Sequence, residues 1–271
     1  MTRALIALCV VVLHAARVSA QDGRPPALRD VGFDQKLDQQ VPPDLQFRDE
    51  TGKTVRFGDY FTDKPVILVL AYYRCPMLCT EVLNGLVKGM IDIPFAPARD
   101  YRVVTVSFDP REEPDLAAAK KKTYVERLAR PGAEDGWHFL TGDADNIRKL
   151  TDAVGFRYKY DETNDQYAHA SGIMVLTPAG RISRYFYDIV YPARDLRLGL
   201  VEASENKIGS PVDQVLLFCF HYDPRAGKYG AAIMNIVRAV GALSLLGVCA
   251  LVASLWRAER RKKTARAATG V

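Results

Sequence analysis

The chain is poor in the residues that polar and redox chemistry most often uses. Its 271 residues include four histidines, five cysteines and two tryptophans. No Cys-x-x-Cys pair occurs, which removes the usual signature of a plain disulfide exchanger. No internal repeat or low-complexity tract is visible, so solenoid and fibrous architectures are excluded. The body of the chain also lacks an excess of either charge. The formal net charge is +5, but six Lys/Arg against one Glu lie from Arg257 onward. Gln21 to Trp256 holds 29 Lys/Arg against 31 Asp/Glu, leaving no basic face for nucleic acid.

Both ends are unlike the body. Met1 to Ala20 has Arg3, an apolar run from Ala4 to Leu13, and Val18-Ser19-Ala20. A basic start, a short apolar stretch and small residues at a cleavage point read as a secretory signal peptide, 1–20. An uncleaved anchor is the alternative, and the short run favours cleavage. At the other end, Ala239 to Trp256 carries no charge and is followed by Arg257-Ala-Glu-Arg-Arg-Lys-Lys. This predicts a C-terminal transmembrane helix over 231–256 and a basic cytoplasmic tail over 257–271. The expected location is the bacterial inner membrane, with the globular domain in the periplasm. Cys9 then leaves with the signal and Cys249 lies in the span. Cys75, Cys79 and Cys219 remain in an oxidising compartment, where two of the three can pair.

Between the ends, 21–43 is polar and carries Pro25-Pro26 and Pro42-Pro43, as expected of an arm over the domain or a partly disordered one. Segment 44–208 is the domain. Leu45 to Phe57 predicts two short strands around a Gly turn. Val66 to Ala71 is a continuous apolar run, the mark of a strand buried on both faces. A helix over Thr80 to Met90, a strand over Tyr101 to Phe108, a helix over Pro114 to Arg130 and a strand over Trp137 to Leu140 follow. Then come a helix to about Val154, a strand near Phe156 to Tyr160, a hairpin around Pro178-Ala-Gly180, and a helix over Pro192 to Asn206. Strands alternating with helices and closed by an antiparallel hairpin predict an α/β fold, a thioredoxin-like mixed sheet covered by helices.

The chemistry gathers behind the first buried strand, in Cys75-Pro-Met-Leu-Cys79. Pro76 can open a helix, which would place Cys79 in its first turn, where backbone N–H groups stabilise a thiolate. A loop this small contributes little as a structural disulfide, so a functional pair is the stronger reading. Met77 offers a thioether, although packing is its commoner use. His169 lies just before the Ile173 strand, and in a thioredoxin-like sheet that turn sits beside the start of the cysteine helix. His138, inside the Trp137 strand, is read as structural. Two thiolates and an imidazole form a soft, three-coordinate set that suits Cu(I), with imidazole also accepting Cu(II). Zinc would need a further ligand.

Cys75-Pro-Met-Leu-Cys79, Ser107-Phe-Asp109-Pro110 and His169, in this order, resemble the SCO/SenC proteins, copper chaperones of cytochrome c oxidase assembly. The resemblance runs from about Leu45 to Asn206. It implies that Cys75, Cys79 and His169 bind copper and that the two cysteines also cycle as a redox-active disulfide. Asp109 matches the family's Asp-Pro motif, as an orienting residue or as the cap of the next turn. The chain departs from the family in having Met77-Leu78, with no acidic residue, inside the cysteine motif. Its expected anchor is also at the C-terminus, where many members carry theirs at the N-terminus.

In the juxtamembrane stretch 209–230, Cys219 and His221 stand two apart, so a strand would point both one way. They are a second copper contact or docking surface, or they merely pack. The implied function is a membrane-anchored metallochaperone that delivers copper to the dinuclear copper site of an oxidase subunit. Its expected partners are that acceptor, a copper donor or thiol–disulfide partner, and the membrane. The alternative is a thiol–disulfide oxidoreductase that keeps the oxidase subunit's cysteines reduced.

Overall fold

In a computed structural model the described residues are 30–208, 222–223, 228–229 and 231–268. The described residues 30–208 form one compact unit. Its elements run β1 (Gly32–Phe33), β2 (Gln46–Arg48), β3 (Thr54–Arg56), a 3-10 turn (Phe57–Tyr60), β4 (Val66–Ala71), α1 (Leu78–Asp92), β5 (Arg102–Ser107), α2 (Pro114–Leu128), α3 (Ala133–Gly136), β6 (Trp137–Leu140), α4 (Ala144–Ala153), β7 (Phe156–Asp161), β8 (Gln166–His169), β9 (Gly172–Leu176), β10 (Ile182–Tyr187) and α5 (Ala193–Ser204).

The central sheet has the order β10-β9-β4-β5-β6. β4, β5 and β6 are parallel, which requires the helical crossovers α1 and α2 between them. β9 runs antiparallel to β4 and to β10, closing the sheet as a hairpin. β4 is buried at all six positions because both faces are covered. Its alternate side chains enter two separate cores, as the period of two demands. Ile67 and Val69 pack with α1, α2 and α5 through Leu83, Leu86, Tyr124, Leu196 and Leu200. Val66, Leu68 and Leu70 pack on the other face with Phe47, Phe57, Ile147, Leu150 and Phe156. Tyr72, Cys75 and Cys79 belong to this second core.

Local chemistry sets several boundaries. Asp143 caps α4 by accepting the N–H groups of Asp145 and Asn146. Pro114 opens α2, where its missing N–H is harmless. A second, smaller sheet, β1-β7-β8, joins the expected Phe156 strand to two strands that the sequence pattern does not announce. Gly32 and Phe33 pair with Arg157 and Phe156, so part of the polar arm is a strand. Val41 is fully buried. Residues 162–165 are the turn of the β7–β8 hairpin, with Asp161 paired to Gln166 across it.

The mixed α/β arrangement fits the expectation, but the added C-terminal transmembrane helix does not. Among the described residues no helix is long and apolar enough to cross a membrane. Residues 231–256 belong to a single helix, α6 (Ala231–Ala268), which continues through the basic tail. Its uncharged run is framed by Arg238 and Arg257 and broken by Gly241, Ser244, Gly247 and Ser254. It therefore stays at the short limit of the roughly 17–25 residues that a span needs. The topology read from the tail's charge loses its basis with the span. Residues 1–20, Cys219 and His221 lie outside the described residues.

Candidate metal centre

The site is built where β4 ends and α1 begins. After Ala71 the chain turns, the Cys75 N–H donating to the Tyr72 carbonyl at 3.2 Å. Met77, not Pro76, caps the helix, and the first helical residue is Leu78. Pro76 is thus a turn residue ahead of the helix, and Cys79 is the second residue inside it. Met77 does not pack and is 74% exposed. Both cysteines are free thiols and both are buried.

The helix start stabilises the other sulfur from the one expected. The Cys79 N–H points back to Cys75 Sγ at 3.3 Å. A hydrogen bond from the Cys79 side chain, opposed by burial and supported by His169 and the N–H groups of Cys79 and Met77, holds the Cys75 thiol down at about 3. Burial pushes the Cys79 thiol well up, and the neighbouring Cys75 sulfur adds to this. The two form a thiolate–thiol pair, with the negative charge on Cys75.

His169 is the last residue of β8, not part of a turn, and lies opposite Tyr158. Its Nε2 is 3.3 Å from Cys79 Sγ. Its Nδ1 is 2.9 Å from the Ala170 carbonyl oxygen. A carbonyl only accepts, so Nδ1 carries a proton, and Nε2 is the ring nitrogen that faces the sulfurs. Tyr72 and Phe108 meet the imidazole edge-on, at 5.8 and 5.3 Å between centroids. The ligand atoms of Cys75, Cys79 and His169 all lie within 4.8 Å of one another. Such a set fits a soft metal ion: one sulfur is already deprotonated, the imidazole tautomer is set, and Ala170 supplies the outer contact that orients a ligating histidine.

Asp109 stands outside this group. Its carboxylate accepts the Arg111 N–H at 3.0 Å, as a turn cap does. It also grips the Arg111 guanidinium at 2.8 Å and accepts from Tyr167 Oη at 3.3 Å. Burial alone would raise its pKa, but the Arg111 contacts outweigh this and hold the carboxyl below its usual range. His138 on β6 packs on Tyr60, with Nδ1 3.9 Å from Glu50, away from the sulfurs.

Glu112 is the residue that sequence reasoning missed. It is buried and accepts the N–H groups of Tyr73 and Arg74, both at 2.7 Å, and the Ser107 hydroxyl at 2.6 Å. The available signal was an acidic residue soon after Asp109-Pro110, in a loop leaving a buried strand. Beside the thiols, a cleft of about 330 Å³ is lined by Tyr72, Arg74, Pro76, Asp109, Arg111 and the 164–166 turn.

Comparison with known proteins gives a consistent picture. The SCO1/SenC family model matches residues 34–196. A putative electron transfer protein from Aquifex aeolicus superposes with a TM-score of 0.56 at 24% identity, covering 64% of this chain and 96% of its own. A SCO1/SenC family lipoprotein from Bacillus anthracis gives 0.50 at 17%, over 64% and 99%. BsSco, a Sco-family cytochrome c oxidase assembly protein in which a disulfide switch is identified, gives 0.50 at 21%, over 65% and 99%. At these identities the structural likeness concerns the fold. No curated protein sequence matches the chain.

Proposed function

Since this chain belongs to the SCO1/SenC family, we propose that it is a copper metallochaperone. It takes copper on Cys75, Cys79 and His169 and passes it to the dinuclear copper site of a cytochrome c oxidase subunit during assembly. The observation that carries this reading is the convergence of two sulfurs and one imidazole nitrogen within 4.8 Å. Copper is cargo here. Three ligands hold it while leaving room for an incoming donor from the acceptor. The site lies beneath exposed Pro76 and Met77, so an acceptor segment needs to displace little protein. Loading removes the proton that remains on Cys79, so uptake releases protons and depends on pH. Oxidation of the cysteine pair removes both sulfur ligands and couples occupancy to redox state. The place of action is the exported side of the bacterial inner membrane, a reading supported by the composition of residues 1–20.

A thiol–disulfide oxidoreductase acting on the same acceptor is the second reading. The observation favouring it is the low-pKa Cys75 thiol beside the protonated Cys79. Such a reductant needs both cysteines but not the imidazole. His169→Ala separates the two: loss of copper binding together with oxidase assembly supports metallochaperoning. Assembly that survives loss of copper binding supports thiol reduction.

A further inference from the structure

Arg111 and Glu112 are adjacent in the loop after β5, yet they reach in different directions. We propose that they are positioning residues that set the two arms of the metal centre separately. Glu112 holds the loop that carries the cysteines, and Arg111 holds the hairpin that carries the histidine. The proposal rests on the metal-binding reading only for what the two arms are positioned to do.

Glu112 is 3% exposed. One carboxylate oxygen accepts the Arg74 N–H, and the other accepts the Tyr73 N–H and the Ser107 hydroxyl. All three donors are uncharged. Burying a carboxylate among neutral donors is costly unless each bond is made, so the carboxylate dictates where Tyr73 and Arg74 sit. Cys75 is the next residue.

Arg111 is half exposed and works as a planar fork. Nε and Nη2 bind Asp109 at 2.9 and 2.8 Å. Nη1 reaches across to Asp165 at 2.7 Å and to Tyr160 Oη at 3.2 Å. The guanidinium lies 5.0 Å from the Tyr160 ring centroid and 5.8 Å from that of Tyr167. Tyr160 pairs with Tyr167 across the hairpin, and Tyr158 pairs with His169. Tyr167 and His169 are two apart on β8 and share a face. The fork therefore ties the tip and inner face of the hairpin to the Asp109 turn, one step from the imidazole. Lysine matches the charge but not the two-sided geometry.

The test compares the reduced, metal-free protein with Glu112→Gln, Arg111→Gln and Arg111→Lys. It uses site-resolved hydrogen exchange, iodoacetamide labelling of Cys75, and thermal unfolding. Glu112→Gln leaves one N–H without its acceptor. It should raise Cys75 labelling and exchange at Tyr73 and Arg74 by about tenfold or more while β8 stays within about twofold. Arg111→Gln should do the reverse, raising exchange across residues 166–169 with Cys75 labelling unchanged, and Arg111→Lys should restore only part. In Cu(II)-loaded protein, Arg111→Gln should weaken the imidazole nitrogen hyperfine signal. Glu112→Gln should keep that signal and shift the sulfur-to-copper absorption band. Equal increases in both segments that track the fall in melting temperature would overturn the proposal, as would no change in either. If the wild type takes up no copper with sulfur and nitrogen signatures, the metal reading fails. The exchange and labelling results then still decide the positioning roles.

Discussion

Replacing His169 by alanine tests the site most directly. The imidazole is 9% exposed and packed by Tyr72, Phe108 and Phe156. Its backbone is held by the β7–β8 register, so the strand should survive the change. The metal-free protein loses ring packing, at a cost of about 3 kcal/mol, the low end of the range for truncating a buried ring. The metal-loaded protein loses one of three donors. Removing only an outer contact of a ligating histidine weakens metal binding by about 10–100-fold, so removing the ligand should cost at least about 100-fold, or roughly 2.7 kcal/mol. Competition for Cu(I) against a chromogenic chelator reads the second effect, and chemical unfolding reads the first. The same variant should titrate Cys75 at higher pH, since His169 is among the groups that hold its thiol down. Copper affinity within about threefold of wild type, with the fold intact, would show that the imidazole is not a ligand and would refute the reasoning.

The cysteines should label unequally: at pH 6, iodoacetamide should modify Cys75 well before Cys79, and mass spectrometry that finds Cys79 first would contradict the thiolate assignment. Stability should also depend on pH through this pair. A thiol depressed in the fold contributes fully above its unfolded value, about 8.5, and that contribution fades as pH falls toward the folded value. Cys79, raised by burial, has the opposite sign, and its effect appears only as pH rises above the ordinary thiol range. Urea midpoints of reduced protein should thus fall from pH 8 to pH 5, and Cys75→Ser should flatten that slope; an unchanged slope argues against the depressed thiol. Gly85→Ala would place a Cβ 1.8 Å from the Ile189 carbonyl oxygen, so α1 must shift from the 189–191 loop at a cost of about 1–3 kcal/mol, measured as a lower urea midpoint. Glu50→Gln removes one of the two carboxylates that the half-buried Lys121 ammonium meets, leaving Glu134 at 3.3 Å, and should lower stability by about 1 kcal/mol, seen as a lower melting temperature.

How much of this was legible depended on whether the cause was local. The Val66–Ala71 strand follows from an apolar run long enough to need cover on both faces, and its limits agree with the structure. The parallel order of β4, β5 and β6 follows from alternating strand and helix periods. The cysteine spacing also came from position along the chain, while the choice of His169 over His138 came from its place in a thioredoxin-like sheet and from the SCO/SenC resemblance. Other features depended on residues far apart in sequence. β8 carries no apolar run, and it is a strand because β7 offers backbone partners. Gly32 and Phe33 are a strand because Phe156 and Arg157 lie beside them. The C-terminal segment reads as a span in a charge-free window, whereas the helix that forms there runs on through the charged tail.

What the amino-acid order determined by itself was the kind of chemistry available: two thiols four residues apart behind a buried strand, and few histidines to join them. That information is local, carried by periodicity, spacing and the small choice of soft ligands. Only the tertiary structure decided which sulfur carries the charge, because that depends on where the Cys79 N–H points and on how deeply each thiol is buried. Only the tertiary structure set Glu112 under one arm and Arg111 over the other, because hydrogen bonds reach across 38 and 54 residues of chain to groups that no local pattern connects.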